Sequence, residues 1–472
     1  MTNNLELKIK AKSKQEVFIR SPNTSNETGD FCINLSDQIK EIASIFLEKT
    51  KDKEIQIISH FDTDGITSAA IMIQTLNGLD RRFNLKIVKN LDQNFIKNLQ
   101  KNKITLFLDL ASGSLDYIKE SGLKEVFIID HHEIAQKIPD NVKIITPQLY
   151  EKQKISSSGL TYLFSKELDP KNKKFAKLGI IGMVGDRLEK EIKKFDMLGD
   201  SEIKIKKGLL IYPATRPLNR ILEFSSNPYI PGVTGDAVGV IELLREANLN
   251  PIKGKYKSLL ELNEKEMEAI TTSIMLRNPQ SANKKIIGDI FLIKLYNQLE
   301  DTREISAKIN ACSRSGQSEI ALQFCMEIPS AKKAVETIYS KYKQELISGL
   351  DFIKKTEKIQ GENFVIINAK NKIKDTMIGT IASILSNSSI YKEETIIIAL
   401  ALDETEKKIK ISARNVGNHG RNVREILNRI ITLIGGEVGG HEFAAGGLIE
   451  KEKEQEFIEH LKRNLEIEVI KI

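Results

Sequence analysis

Apolar positions along the chain follow two rhythms that alternate at its ends and separate in its middle. Short apolar runs at Glu54–Ser59, Leu85–Lys89, Ile104–Leu108 and Glu125–Ile129 read as buried strands. Between and before them lie helical patterns. One runs from Ser36 to Glu48, with Ser36 as its cap and Ile39, Ile42, Ala43, Ile45 and Phe46 on one face, and another spans Thr67–Leu76. Strands alternating with helices predict a parallel sheet with helices on both faces. From about residue 190 to 340 the pattern turns mainly helical, with breaks at Pro213, Pro217, Pro228 and Pro231-Gly232, and Ser330 to Lys358 reads as a long charged helix. Alternation then returns. Phe364–Asn368, Thr395–Leu402, Lys408–Ala413 and Ala445–Ile449 read as strands, and Ile378–Leu385, Val423–Ile434 and Glu454–Asn464 as helices. The expected fold is therefore α/β. An irregular N-terminal arm (1–35) precedes a parallel-sheet domain (36–200), a mainly helical insertion (201–329), a connector helix (330–360) and a smaller C-terminal α/β domain (361–472).

Composition narrows the class without fixing it. The 472 residues are 40% hydrophobic and 29% charged, as in a globular protein. No apolar run approaches the ~18 residues of a membrane span, and the first ten residues lack the apolar core of a secretory signal. The three cysteines, Cys32, Cys312 and Cys325, form no C-x-x-C pair, so a cytoplasmic location is expected. A net charge of +7 permits a polyanionic partner but does not require one, since a lysine-rich solvated surface gives the same balance.

The placement of acids and histidines carries more. H-F-D-T-D-G at His60–Gly65 follows the first strand and opens a helix. Ligands in open parallel sheets bind beyond the carboxyl ends of the strands. Either aspartate alone could merely cap the helix, but two carboxylates beside a histidine repel one another unless a cation compensates. Asp109 ends the strand of F-L-D-L, and F-I-I-D-H-H ends another apolar strand in Asp130, His131 and His132. G-I-I-G-M-V-G-D-R places Asp186 after a glycine-spaced apolar segment. Singly, each has an ordinary explanation as a turn or a solvated helix end. Together they put oxygen and nitrogen ligands at one edge of one sheet, a set that suits two divalent cations, Mn²⁺ ahead of Ca²⁺ because histidines are present. Two cations in such a site serve the hydrolysis of phosphate esters.

Further on, G-G-E-V-G-G-H-E-F-A-A-G-G at 435–447 surrounds His441 with six glycines, which permits close backbone approach to a ligand. Upstream, a strand ends at Ser412 and Arg414, within a stretch from Glu404 to Arg429 holding seven basic and three acidic residues.

The order H-x-D-x-D-G, lone strand-end aspartate, D-H-H and later aspartate closely resembles the DHH phosphoesterase superfamily. The G-G-H segment, with Ala444, Ala445, Gly446 and Gly447 after it, resembles that superfamily's substrate-binding domain. The resemblance implies one metal held by His60, Asp62 and Asp109, and a second by Asp64, Asp109, His131 and Asp186, with Asp109 bridging. Mn²⁺ is the expected ion, with Mg²⁺ as the alternative. It implies that Asp130 orients a site histidine and that His132 sits near the scissile phosphate. Ser412, Arg414, Gly439, Gly440, His441, Gly446 and Gly447 are implied to contact substrate. His419 and His460 are left as surface residues.

The segments P-A-T-R-P-L-N-R, N-P-Y-I-P-G and D-T-R-E-I-S-A-K-I-N-A-C-S-R look like the archaeal RecJ-like branch. With 31 residues after His441, the oligonucleotide-binding domain that bacterial RecJ carries there is expected to be absent. The resemblance thus implies an exonuclease on single-stranded DNA or RNA, in replication, repair or RNA turnover, with no membrane partner. Three alternatives stand beside it. They are a small-substrate phosphodiesterase or phosphatase (cyclic dinucleotide, nanoRNA or nucleoside bisphosphate), a nuclease that also partners the GINS replication complex, and an inactive replication scaffold. The filled metal positions weigh against the last.

Overall fold

The computed structural model describes residues 34–467, apart from 135, 151–152, 201, 226–227, 229, 279–285, 389, 406 and 418. Residues 1–33 of the expected N-terminal arm, Cys32 among them, lie outside the described residues, and Leu35 already belongs to the first helix, α1 (Leu35–Lys49). Asn34, not Ser36, caps it. The Asn34 side chain accepts the Asp37 N–H at 3.1 Å, and Ser36 sits inside the first turn.

The first lobe continues through β1 (Ile55–His60), α2 (Thr63–Gly78), β2 (Phe83–Val88), α3 (Gln93–Lys97), β3 (Ile104–Leu108), α4 (Leu115–Ser121), β4 (Val126–Ile129), β5 (Val142–Ile145), α5 (Ser157–Leu168) and α6 (Ala176–Gly185). Its five strands are parallel in the order β2-β1-β3-β4-β5. Side chains alternate across the sheet. Ile55, Ile57, Leu106, Leu108 and Phe127 pack under α1, α2, α5 and α6, whereas Ile58, Phe107, Val126 and Ile128 pack against α3 and α4. The run Thr67–Leu76 is only the later part of α2. The helix starts a turn earlier because Asp62 caps it, accepting the Gly65 N–H at 3.0 Å. Gly65 is required there, since a Cβ would overlap the His60 carbonyl.

The middle segment is largely helical, as expected, but a three-stranded antiparallel sheet runs through it. It comprises β6 (Lys204–Leu209), α7 (Leu218–Glu223), α8 (Ala237–Glu246), α9 (Glu264–Arg277), β7 (Ile287–Leu295), β8 (Gln298–Asp301), α10 (Thr302–Arg314) and α11 (Ser318–Cys325). Strand β7 divides two cores by alternation. Ile290 and Leu292 join the core of α7, α8 and α9, while Phe291, Ile293 and Leu295 join that of the first lobe. Ile305, Ile309, Ala321 and Phe324 of α10 and α11 also pack into the first-lobe core.

The long helix α12 (Pro329–Lys355) leads to the C-terminal lobe: β9 (Ile359–Gln360), β10 (Phe364–Asn368), α13 (Asp375–Asn387), β11 (Ile396–Asp403), β12 (Lys408–Asn415), α14 (Val423–Ile434), β13 (Glu437–His441), β14 (Ala444–Glu450) and α15 (Glu454–Ile467). Its six-stranded sheet runs β13-β14-β12-β11-β10-β9 and is parallel only between β10 and β11. Helices α14 and α15 cover one face. The other meets α13, together with Ala311 of α10 and Tyr339 and Tyr342 of α12, so both earlier segments dock on this lobe. Among the described residues no helix is long and apolar enough to cross a membrane.

Candidate metal centre and the face opposite it

Strand order 2-1-3-4-5 reverses direction between β1 and β3, and a crevice opens at such a point beyond the strand ends. His60 is the last residue of β1, and Asp109 is the first residue past β3. Their side chains meet there, His60 Nδ1 standing 3.2 Å from Asp109 Oδ2 and 3.2 Å from Asp62 Oδ1. Asp109 takes a left-handed backbone conformation (φ +60°), which turns its side chain out of the strand register. His131, just past β4, lies 3.7 Å from Asp109 Oδ1 and 3.3 Å from Asp186 Oδ2 through its Nε2.

Asp186 arrives from α6 by close helix packing. Gly179, Gly182 and Gly185 form a stripe against α5 and α2, and a Cβ on Gly182 would overlap the Ser158 hydroxyl and the Asp64 carboxylate. Asp64 is buried and accepts the Ser157 and Ser158 N–H groups at 2.7 and 3.0 Å, so the start of α5 holds it in place. Asp130 is fully buried, accepts the Ser112 N–H at 3.0 Å and binds His132 Nδ1 at 2.6 Å. It thereby orients the half-exposed His132 ring.

The electrostatics of this cluster are unbalanced. Burial, then the charges of Asp62, Asp64, Asp186 and Asp130, push the Asp109 carboxyl well above its ordinary range. Burial, then Asp64 and Asp62, push Asp186 up to about 10. Asp62 and Asp130 go the other way. Burial opposes ionisation of both, but His60 holds Asp62 low and His132 holds Asp130 low. His60 is raised, because Asp62 outweighs the effect of burial, and His131 is lowered by burial. Asp109 Oδ1 and Asp186 Oδ2 are buried with no hydrogen-bond partner among the described residues. Carboxylate oxygens left bare in a buried, acid-rich site fit divalent cations. Among the described residues three sets have donor atoms within 4.8 Å of one another: His60, Asp62 and Asp109; Asp64, His131 and Asp186; and Asp109, His131 and His132. Asp109 belongs to two of them. His132 also comes within ligand range, in addition to the substrate role expected of it.

The same crevice has a second wall. A cavity of about 510 Å³ is lined by Asp62, Asp109, His131, His132 and Asp186 on one side and by His441 of the C-terminal lobe on the other. The glycine-rich segment that presents His441 is itself a strand, β13, paired with β14 so that Gly439 faces Gly446 and His441 faces Ala444. Ser412 pairs with Gly446 and Arg414 with Ala444, which puts these four on the face shared with α13. Gly447 stands apart from the substrate-contact role expected of it. It pairs with Ile411 on the opposite face, where a Cβ would meet Ile431 of α14, so its smallness serves packing. Gly440 adopts φ +115°, and a Cβ there would collide with Ala444, so it too is fixed by the hairpin. Among the described residues Arg414 has only neutral hydrogen-bond partners: its Nε donates to Ser383 Oγ at 2.9 Å and its Nη1 to the Ala413 and Ala445 carbonyls. Burial, then nearby Arg187 and Arg314, lower its pKa to about 10.

Several contributors escaped the motif reading. Thr63 Oγ1 donates to the Ser306 carbonyl at 3.0 Å, and Asn310 Oδ1 accepts the Thr63 N–H at 3.1 Å, so α10 braces the start of α2. Gln148 Nε2 donates to the His131 carbonyl at 3.0 Å. The S-S-S-G run at 156–159, a strong N-cap signal, was the available clue to the Asp64 clasp.

Comparison with known families agrees with this layout. Residues 54–183 match the DHH family, N-terminal domain; residues 212–286 the DHH-CID domain; and residues 361–466 the DHHA1 domain. The chain belongs to the DHH superfamily, as a RecJ-like member. It is 25% identical to an uncharacterized protein of Methanocaldococcus jannaschii over 90% of this chain and 98% of that one. It is 22% identical to the single-stranded-DNA-specific exonuclease RecJ of Bacillus subtilis over 88% of this chain but only 45% of that protein. Among solved structures, RecJ from Thermus thermophilus in complex with Mn²⁺ shares the fold at TM-score 0.56 and 17% identity, covering 91% of this chain and 56% of that one. CDC45 from Entamoeba histolytica does so at TM-score 0.64 and 13% identity, covering 91% and 99%.

Proposed function

We propose that this protein is a metal-dependent phosphodiesterase that removes nucleotides from an end of single-stranded DNA or RNA. The observation that supports this best is the pairing, across one cavity, of a carboxylate cluster in excess of its countercharge with a wall carrying His441. His60, Asp62 and Asp109 would hold one divalent ion and Asp64, Asp109, His131 and Asp186 the other, with Mn²⁺ ahead of Mg²⁺. Such ions supply an activated water and neutralise phosphoester charge. The chain's own groups do the rest. Asp130 keeps the His132 ring aimed into the cavity, where its free nitrogen can donate to a phosphate oxygen or to the leaving group. Arg414, Ser412 and the side-chain-free surface at Gly439 and Gly446 bind phosphates of the strand, and His441 closes over the scissile group. The RecJ relative and the RecJ fold lend weight to a nuclease over other phosphoesterases.

The test is a digestion with Mn²⁺ of DNA and RNA strands labelled at either end. A ladder shortening from one end is expected, and intact long strands under conditions that hydrolyse dinucleotides would overturn it. That outcome would favour a second reading, a small-substrate phosphodiesterase, which the modest cavity of about 510 Å³ also accommodates. The fold shared with CDC45 motivates a further role beside GINS in replication. Co-purification with that complex tests it.

A further inference from the structure

We propose that Tyr212 is a stacking platform for a nucleobase of the bound strand, beside the metal centre and outside the cavity that His441 closes. The proposal rests on the nucleic-acid reading above and gives that substrate a base-binding subsite.

Aromatic rings are scarce on this surface, and Tyr212 is one of three with substantial exposure among the described residues, the others being Tyr117 and Phe224. It retains 40% exposure, although protein surrounds it closely enough to push its hydroxyl pKa above the ordinary value. The ring is therefore partly enclosed and partly open to solvent. The Arg303 guanidinium lies 5.8 Å from its centroid. That guanidinium is not free to swing. Arg303 Nε and Nη2 donate to the two carboxylate oxygens of Asp301 at 3.0 and 2.7 Å. Asp301 is fully buried and also accepts the Ala214 N–H, two residues from Tyr212, at 2.9 Å. One buried carboxylate thus fixes both the tyrosine's backbone and the cation beside its ring. A base stacking on the accessible part of such a ring loses little by having to order it, and a neighbouring guanidinium suits the phosphate that accompanies the base.

The position is right for a strand reaching the metals. Arg303 lies in the first turn of α10, and Ser306, one turn on, bonds Thr63, which sits between Asp62 and Asp64. About one helical turn, ~5 Å along the axis, separates the two contacts. Arg187 lies nearby. It directly follows Asp186 and takes a left-handed backbone (φ +59°); its N–H donates to the Val184 carbonyl at 3.1 Å, and Glu189 lies within electrostatic reach of both its guanidinium and that of Arg303. Arg187 lies within electrostatic reach of both Tyr212 and Arg414. A guanidinium next in sequence to a metal ligand and within electrostatic reach of an exposed aromatic ring is placed to take the phosphate linking a stacked base to the scissile position.

The experiment compares Tyr212→Ala, Tyr212→Leu, Tyr212→Phe and Tyr212→Trp with the unaltered full chain. Affinity is read on single strands carrying 2-aminopurine near the end and on matched strands with abasic residues there. Removing the ring should weaken binding of the base-bearing strand about 5- to 100-fold, raise KM and leave kcat within a few fold. The abasic strand should bind all variants alike, 2-aminopurine quenching should vanish with Ala and Leu, and Phe and Trp should retain it. Leu keeps apolar bulk beside Arg303 without a π-face, so the comparison survives if the Ala variant does not fold. Equal loss on both strands, or unchanged binding by Ala and Leu, would overturn the platform alone. If the unaltered protein neither binds nor cuts any strand, the nucleic-acid reading fails and the platform falls with it.

Discussion

The two walls of the cleft are incomplete in opposite senses. In the first lobe, buried acids crowd together until Asp109 and Asp186 are driven far above normal carboxyl behaviour, with oxygens left bare. In the C-terminal lobe, Arg414 is half-buried near Arg187 and Arg314 and, among the described residues, bonds one hydroxyl and two carbonyls and no carboxylate, so positive charge is left over. Neither arrangement is what a folding free energy alone would select, since unpaired buried charge is costly. A cation on one wall and a phosphate on the other resolve both excesses at once. The lesson is that the locally unfavourable residues, rather than the well-packed ones, mark where ligands go.

That contrast can be broken at several points. The largest effect should come from Asp109→Ala, which sits in two of the candidate ligand sets. Single-turnover hydrolysis with Mn²⁺ should fall on the order of 10³-fold, further than for His441→Ala, and near-normal rates would refute the shared-ligand role. Asp130→Asn should lower activity or metal affinity roughly 10- to 100-fold, because it frees the His132 ring without removing it. On the opposite wall, Arg414→Ala should raise KM about tenfold and flatten the salt dependence of strand binding, with kcat little changed. An equal fall in kcat would move Arg414 into the chemistry. Between these in character, Gly182→Ala should cost about 1–3 kcal/mol in denaturant titration and also weaken Mn²⁺ binding, since the added methyl strikes both Ser158 and Asp64. The smallest effect is one of pH on the metal-free protein. Asp186 and Asp109 hold protons in the folded state that the unfolded chain releases near pH 4, so their contribution to stability is greatest below that pH. It is lost as pH rises towards the folded value, about 10 for Asp186. The lowered Asp62 and Asp130 have finished titrating by then. The melting temperature without metal should therefore drift down from pH 7 to 9, and Mn²⁺ should reverse the drift. A flat profile would mean that the crowding of acids is relieved within the protein itself.

How far the chain could be read in advance depended on range. Strands β3 and β10 and helix α14 begin and end where apolar periodicity places them, because each is buried along a simple pattern. The first-lobe ligands were legible because each follows an apolar strand or a glycine-spaced helix, and a parallel sheet gathers strand ends at one edge. The Gly439–His441 strand was not. Glycines are poor strand formers, and only the ladder to β14 holds them extended. The strands of the middle segment were missed for a related reason. Lys204–Leu209 carries three lysines and one glycine, and its partner β7 lies some eighty residues on. Least legible of all was the brace from Ser306 and Asn310 to Thr63, since nothing local announces a contact across more than 240 residues.

That brace makes the protein a poor candidate for dismantling. The stretch between the lobes resembles a removable spacer, yet its final helices sit in the first-lobe core and pin the start of α2, where Asp62 and Asp64 lie. A truncation before residue 302 would leave the parallel sheet with its acidic corner unmoored. A graft that transplants the acidic motifs into another scaffold would need α10 as its keystone.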